Sequence, residues 1–143
     1  MSGRPLLRMN LPARVEAMAD MRHALTQALE RLQIPARERE RVVLAVHEAC
    51  TNVIRHAYRE CTSGCIGLCV EHVRGQLRIR LRDRAPPVDP RCVQPRDLSE
   101  CRPGGLGVNI IDETMDRWWL RSLKHRAGNV LCMRRRLRKE SAP

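Results

Sequence analysis

The order of the predicted elements indicates an α/β fold, a two-layer sandwich whose helices cover one face of a mixed, mostly antiparallel sheet. Two patterns support the elements themselves. The stretch QLRIRLR alternates apolar and basic residues, as in a strand with one buried face, whereas apolar residues between Val15 and Leu32 recur with a helical period. A chain of 143 residues, 43% of them hydrophobic, is expected to form one domain over residues 1–143.

Each element has its own sequence signal. Pro12 ends a first strand, Pro35 stands where a helix commonly begins, and Arg74–Gly75 joins two strands through a tight turn. A proline-rich segment with little periodicity is predicted to be a long loop, and such loops in compact domains are usually functional. The predicted elements are strand 6–12, helices 13–33 and 35–59, strands 65–73 and 76–83, loop 84–103, helix 104–115, and strands 117–123 and 129–137.

The formal charge of +11 comes almost entirely from arginine. Phenylalanine is absent, and the aromatic residues are Tyr58, Trp118 and Trp119, so a single-strand nucleic-acid binder would lack its stacking platforms. No specific nucleic-acid binding is therefore expected, and the excess charge fits an anionic small ligand or an acidic protein surface equally well. The basic run 134–139 is expected to form the outward face of an edge strand and a frayed tail.

Neither a membrane span nor a signal peptide is predicted. No apolar run approaches the length of about 18 residues that crosses a bilayer, and MSGRPLLRMNLP lacks an apolar centre. The seven cysteines are an odd number, and Cys61, Cys65 and Cys69 stand four apart, which fits neither a Cys-x-x-Cys zinc site nor an obvious disulfide framework. Reduced thiols and a cytoplasmic location are expected, with a metal cluster as the minor alternative.

Three segments carry candidate chemistry. In LAVHEACTNVIRHAY, a helix places Glu48, Asn52 and His56 one turn apart beside an apolar stripe, which is typical of a pocket wall or of a solvated polar face. Asp83 ends a strand, where a carboxylate can accept a hydrogen bond from an exocyclic amine or simply start a turn. In PGGLGVNII, glycines precede a helix whose free amides can bind an anion, although the spacing is not that of a P-loop.

Together, LAVHEACTNVIRHAY, LRDRAPPVDP and GGLGVNIID resemble the N, G1 and G2 boxes of the GHKL ATPase superfamily. Within it, the chain is similar over nearly its whole length to the bacterial anti-sigma-factor serine/threonine kinases of the stress and sporulation type. The resemblance implies the Bergerat ATP-binding fold, with ATP and Mg²⁺ between helices and sheet under a lid. It also implies phosphorylation of a serine on a STAS-type anti-anti-sigma protein, sequestration of a sigma factor, and a homodimer.

The resemblance assigns roles to individual positions. Glu48 would be the catalytic general base, Asn52 the Mg²⁺ ligand, and Asp83 the acceptor for the adenine amine. His56 is expected to pack or to support the site. Three arginines of the predicted loop are candidates to meet phosphate charge, or are simply solvated loop charges: Arg91, Arg96 and Arg102. The predicted nucleotide-binding residues are Asn52, Asp83, Arg102, Gly104, Gly105, Leu106, Gly107 and Val108.

Two positions depart from the family pattern. Ala85 stands where the family has a glycine two residues after the adenine-binding acid, and Asn129 stands where the last hairpin usually has a threonine. The resemblance as a whole makes an ATP-dependent protein kinase that also switches partners the leading hypothesis. The alternative is a catalytically weak or inactive ATP-sensing module that sequesters a protein, and net charge alone supports a third hypothesis, a nucleic-acid-binding domain.

Overall fold

The computed structural model describes residues 4–57, 64–85, 106–123 and 127–138, apart from the side chains of residues 56, 57, 106 and 107. The elements are β1 (Leu7–Pro12), a 3₁₀ turn (Val15–Ala17), α1 (Met18–Glu30), α2 (Ala36–Asn52), a π-helical turn (Val53–Ala57), β2 (Cys65–Val73), β3 (Gln76–Arg82), α3 (Leu106–Thr114), β4 (Arg117–Ser122) and β5 (Asn129–Arg136). Their order is the predicted one.

The five strands form one sheet in the order β1-β2-β3-β5-β4, and all four neighbouring pairs are antiparallel. The predicted two-layer α/β class is thus confirmed. The predicted edge position of the basic run is wrong, because β5 lies between β3 and β4 and therefore has a partner on each side. Arg134 does face outward as expected, but its neighbour Arg135 points to the covered side of the sheet.

Alternation along the strands assigns one face of the sheet to the core. Ile66, Leu68 and Val70 of β2 and Leu77, Ile79 and Leu81 of β3 are fully or almost fully buried. The buried stripes of α1 and α2 join the same hydrophobic cluster, with Met21, Leu25, Val42 and Val46 at 0% exposure. Because a helix and a sheet must each bury one apolar side, these faces pack against each other.

The ends of the elements follow local chemistry. Gln33, three residues after the end of α1, adopts φ 53, a left-handed conformation that is incompatible with a right-handed helix extending to the predicted end at residue 33. Arg74 and Gly75 both have positive φ, as a two-residue hairpin turn requires, and the predicted turn is confirmed. Most of the predicted loop 84–103 lies outside the described residues. None of the described helices is long and apolar enough to cross a bilayer.

Candidate functional site

Asp83 follows β3 directly and is the natural centre of the site, because a carboxylate only 4% exposed needs hydrogen bonds. Its Oδ1 accepts three: from the backbone N–H of Ala85 at 2.9 Å, the backbone N–H of Asn129 at 3.2 Å and the side-chain Nδ2 of Asn129 at 3.0 Å. No described residue donates to Oδ2. The carboxyl group is therefore fixed through one oxygen and retains the other as an acceptor.

The start of β5 supplies most of this support. Asn129 is 1% exposed, and its amide oxygen accepts a hydrogen bond from the Ser122 hydroxyl at 2.9 Å. Because the Ser122 hydroxyl occupies the oxygen side, the Nδ2 group of Asn129 is directed at Asp83. The backbone N–H of Asp83 also donates to the Asn129 carbonyl at 3.0 Å. The amide that replaces the family's threonine thus contacts the acid directly.

Gly128 allows the β4–β5 turn to approach Asp83 closely. Its φ of +141 lies in a region that L side chains rarely adopt, and an added Cβ would lie 2.6 Å from the Asp83 carbonyl oxygen. A side chain at position 128 would push the turn away from the end of β3. The hydrogen bonds between Asp83 and Asn129 therefore depend on this glycine.

Burial raises the pKa of the Asp83 carboxyl, and hydrogen bonds from Asn129 and from the Ala85 backbone partly offset the rise. Desolvation favours the neutral acid, whereas N–H donors favour the carboxylate. A ligand that donates a hydrogen bond to Oδ2 would add to the second effect. The site thus favours a donor such as an exocyclic amine.

Glu48 and Asn52 lie on one flank of α2, and both are half-buried. Their spacing of four residues stacks them along the helix, as predicted. Regular α-helix ends at Asn52, and the next residues form the π-helical turn. Such turns are uncommon and occur frequently at functional sites. His56 lies within this turn, but its side chain is outside the described residues.

A partly buried ion pair ties three elements together on the same flank. Arg135 of β5 donates from Nε and Nη2 to the Glu38 carboxylate of α2 at 2.6 and 2.8 Å, and from Nη1 to the carbonyl of Thr114 in α3. The Arg135 guanidinium lowers the pKa of Glu38, chiefly through this hydrogen bond. The C-terminal end of α3 is thereby held at the N-terminal end of α2.

This arrangement gives α3 a direction. Since α3 packs along α2 and its last turn lies near Glu38, its first turn points toward the later half of α2. Glu38 and Asn52 occupy the same flank, about 21 Å apart along the axis. The free amides at the start of α3 are therefore directed toward the part of α2 that carries Glu48 and Asn52.

The predicted anion-binding segment is only partly described. Leu106, Gly107 and Val108 open α3, and Val108 is buried. Arg102, Gly104 and Gly105, like the loop residues Arg91 and Arg96, lie outside the described residues. The described part retains the essential feature, a helix N-terminus whose amides and dipole favour an anion.

The donor chemistry suits a hard cation at one position. The amide oxygen of half-buried Asn52, with a carboxylate one turn away, is the kind of ligand that Mg²⁺ accepts while keeping waters and phosphate oxygens. Among the described residues, no group of three or more His, Cys, Asp or Glu side chains is placed to hold a metal ion without further ligands. A cation here would need oxygens from its ligand.

A second concavity lies on the other flank of α2. The groove has a volume of about 440 Å³ and is lined by α1 and α2, including Arg22, Val43 and His47. The Arg22 guanidinium and His47 Nδ1 are 3.1 Å apart. The groove does not include Glu48, Asn52 or Asp83, so it is separate from the predicted site.

Helices cover one face of an antiparallel sheet, and a buried acid stands at the end of one strand. One helix flank carries an amide and a carboxylate, and the start of a further helix is directed toward them. This combination is typical of an ATP-binding domain of the GHKL type. The chain belongs to the histidine kinase-like ATPase domain family, whose model matches residues 11–135. The predicted superfamily is confirmed.

The chain is similar to particular proteins and solved structures. The chain is 28% identical over 142 residues to the serine-protein kinase RsbW of Halalkalibacterium halodurans, a match covering 94% of this chain and 85% of the relative. The SiaB–SiaC complex structure from Pseudomonas aeruginosa aligns with TM-score 0.70 at 19% identity, covering 92% of this chain and 89% of its own. A structure of RsbU and RsbW domains from Mycobacterium tuberculosis aligns with TM-score 0.66 at 19% identity, covering 94% of this chain but 32% of its own.

Two contacts that organise the site are not predicted from the sequence. The sequence marks Asn129 as a departure from the family pattern, but it does not predict the contact with Asp83, 46 residues away. The glycine just before Asn129 is the signal that could have found it, since a glycine at a turn often marks a close backbone approach. No local signal relates Glu38 to Arg135, which are 97 residues apart.

Proposed function

We propose that this chain is an ATP-dependent serine/threonine protein kinase of the anti-sigma-factor type. It uses Mg-ATP and phosphorylates a serine on a STAS-type anti-anti-sigma protein. The observation that carries the proposal is the buried Asp83, whose Oδ1 is held by three N–H donors while Oδ2 receives none from a described residue. A neutral exocyclic amine is the matching donor, and adenine carries one.

Each part of the nucleotide has a matching group. Asp83 would accept from the adenine amine, and the amides at the start of α3, residues 106–108, would receive phosphate oxygens together with Gly104, Gly105 and Arg102. Asn52 would offer its amide oxygen to Mg²⁺. Mg-ATP would supply the phosphoryl group and much of the charge neutralisation that such transfers require.

Glu48 is the proposed general base. Its carboxylate lies one turn from Asn52 on the same flank of α2, so an acceptor hydroxyl near the phosphates would lie within its reach. The carboxylate would orient that hydroxyl and accept its proton as the oxygen becomes a nucleophile. Among the described residues of this flank, no other carboxylate lies one helical turn from Asn52.

The protein partners are proposed from the relatives. The curated relatives are named serine-protein kinases, which supports a serine on a protein as the acceptor. The proposal extends to partner switching, in which the chain holds either a sigma factor or its antagonist, to a homodimer, and to a cytoplasmic location.

A second candidate function is a catalytically weak or inactive ATP-sensing module that sequesters a protein. The specific observation is Ala85, which is buried at 1% exposure two residues after Asp83, where the family has glycine. A methyl group at this position would narrow the space next to the acid if it points toward the bound base. Such a module would bind nucleotide without transferring phosphate.

Calorimetry and phosphotransfer separate these candidates. We expect wild type to bind Mg-ATP, and Asn52→Ala to weaken binding by about tenfold or more through loss of a cation ligand. The matched control is Asn10→Ala, on the exposed face of β1. Absence of nucleotide binding by folded wild type would refute both candidates.

The catalytic assignment needs its own variant. Glu48→Gln should retain Mg-ATP binding but lose about 100-fold or more in transfer to the cognate serine, because the acceptor lacks its base. Glu40→Gln, on the exposed side of α2, is the control and should transfer at the wild-type rate. Unchanged transfer by Glu48→Gln contradicts the assignment, and no transfer by wild type favours the sensing module.

A further inference from the structure

The face of the sheet opposite the helices is dominated by arginine. Alternation along the strands places eight arginines on it, a set hereafter called the arginine face: Arg8, Arg78, Arg80, Arg82, Arg117, Arg121, Arg134 and Arg136. Seven of them are exposed and Arg134 is half-buried. No described helix packs on this side of the sheet.

Acidic residues do not balance these charges. Glu71 is the one carboxylate on this face among the described strand residues, and it pairs with Arg80 at 2.6 Å. Asp116, just before β4, accepts from the backbone N–H of Arg136. Arg8, Arg82 and Arg121 have no described ion-pair partner. The face therefore carries a strong uncompensated positive charge.

The register makes this charge costly. Arg117 lies opposite Arg134 on β5, and Arg134 lies opposite Arg78 on β3, so three like charges stand side by side in one row. Glu71 on β2 ends this row opposite Arg78, but its carboxylate pairs with Arg80. Like charges directly opposite one another destabilise a sheet. Folding alone does not require this row, since one face of an antiparallel sheet can remain in water with uncharged polar residues.

We propose that the arginine face docks an extended acidic segment of a partner protein. Arg78, Arg80 and Arg82 alternate along β3, which spaces their Cα atoms by about 7 Å, the spacing of alternate residues in any extended chain. A segment with Asp or Glu at every second position would match this row. Arginine also binds carboxylate through a planar fork of two N–H groups.

Two other occupants fit the face less well. A second copy joined by two-fold symmetry would bring this arginine-rich patch against itself, and like charges then repel. Single-stranded nucleic acid needs aromatic platforms, and the aromatic residue on the described part of this face is Trp119. Guanidinium groups of Arg117 and Arg134 already lie over its ring, 5.4 and 5.1 Å from the centroid.

The docking surface is separate from the proposed nucleotide site. Asp83, Asn129, Glu48 and Asn52 belong to the end of the sheet and the helices on its covered side, whereas the arginine face is on the uncovered side. Binding of an acidic segment should therefore need no ATP, and it can be tested on protein that lacks phosphotransfer.

The test measures fluorescence anisotropy of a labelled peptide of alternating Glu and Ser at physiological salt. Wild type should bind it, and a matched Gln–Ser peptide should not bind. Arg78→Ser combined with Arg82→Ser should weaken binding by about tenfold, since two arginine–carboxylate contacts are lost. This pair leaves the Arg80–Glu71 ion pair intact.

The control has the same change in charge elsewhere. Arg37→Ser combined with Arg41→Ser alters two exposed arginines of α2 and should leave peptide affinity within about twofold of wild type. Equal losses in both double variants would mean that net charge alone attracts the peptide, and this overturns the proposal. Should the first double variant fail to fold, Arg8→Ser with Arg121→Ser, on other strands of the face, replaces it.

A nucleic acid serves as the competing ligand. An oligothymidylate of equal charge should bind more weakly than the Glu–Ser peptide at physiological salt. Tighter binding of the oligonucleotide, lost in the Arg78 and Arg82 variant, would assign the face to nucleic acid instead. Absence of peptide binding by wild type, or self-association that disappears in the same variant, would also overturn the proposal.

Discussion

Two ion pairs on opposite faces of the same sheet have the same shortest distance and different surroundings. On the covered face, Arg135 and Glu38 approach to 2.6 Å with side chains 15% and 13% exposed. On the uncovered face, Arg80 and Glu71 also approach to 2.6 Å, but their side chains are 52% and 18% exposed. Distance alone therefore does not tell what an ion pair contributes.

The surroundings decide the contribution. Water screens the Arg80–Glu71 pair, so its loss changes little beyond local charge. Arg135 also binds the Thr114 carbonyl and has little water to replace a lost partner, so its pair fixes the relative positions of α2, α3 and β5. The covered face depends on exact contacts, and the uncovered face depends on the sum of its charges.

The largest expected effect on this contrast comes from Gly128 on the covered side. Gly128→Ala should lower the free energy of unfolding by about 4 kcal/mol, because the new Cβ meets a backbone oxygen at 2.6 Å and φ is +141. Mg-ATP binding should be lost with it, since Asp83 loses its support. Thermal unfolding and calorimetry measure the two effects.

Gly75→Ala is the control for that variant. Gly75 also has positive φ, at +77, but nothing lies within 4 Å of the position that an added Cβ would take. The cost should be about 1 kcal/mol from backbone conformation alone, with nucleotide binding unchanged. Equal costs at both glycines would show that the approach to Asp83 is not tight.

The second effect compares the two ion pairs directly. Glu38→Gln should lower the free energy of unfolding by about 3 kcal/mol, because it leaves the partly buried Arg135 without a carboxylate, whereas Glu71→Gln should cost less than about 1 kcal/mol. Denaturant unfolding measures both. Similar costs would mean that burial does not distinguish the two faces.

The same variants predict a pH dependence. Arg135 lowers the pKa of Glu38 from its ordinary value of 4.5, so the folded state releases this proton more readily than the unfolded state. The stabilisation is present above that value and is lost as pH falls through the lower folded pKa. Unfolding of Glu38→Gln should lack this acid-dependent loss.

The smallest effect on stability concerns Asp83, whose pKa is raised above 3.8 by burial. The folded state then binds the proton more tightly than the unfolded state, so charged Asp83 costs stability at neutral pH and the cost disappears as pH falls through the raised pKa. Asp83→Asn should therefore be at least as stable as wild type at pH 7. It should nevertheless lose Mg-ATP binding, because an amide N–H would face the adenine amine.

The difference in unfolding free energy between wild type and Asp83→Asn, measured against pH, isolates this group because Glu38 contributes equally to both proteins. The unfolding free energy of wild type should rise relative to that of Asp83→Asn as the pH falls. A difference that stays constant, or moves the other way, would contradict the assignment of Asp83 as a desolvated carboxylate.

Many of the local elements and site residues of this molecule can be predicted from its sequence. Strict alternation in β3 and the positive φ requirement at Arg74–Gly75 are local signals, and both elements form as predicted. The stacking of Glu48 and Asn52 follows from helix geometry and needs no tertiary information. Asp83 is recognisable because it stands where the alternation of β3 ends.

The remaining features depend on contacts between distant parts of the chain. The position of β5 inside the sheet cannot be read from its composition, and its three consecutive arginines resemble an exposed edge. Arg135 is acceptable on the covered face only because Glu38 and the end of α3 receive its donors. Periodicity predicts which residues share a face of a helix or strand. It does not predict which residues, distant in the sequence, form hydrogen bonds or ion pairs with one another.

The order of strands also has a consequence for synthesis. Asp83 leaves the ribosome 46 residues before Asn129, and β5, which follows every other described element, takes its place between β3 and β4 only after both have been made. Until it does, the acid lacks two of its three donors and α3 lacks its anchor. On the proposed function, nucleotide recognition therefore requires that translation has delivered β5, which couples ligand recognition to completion of the fold.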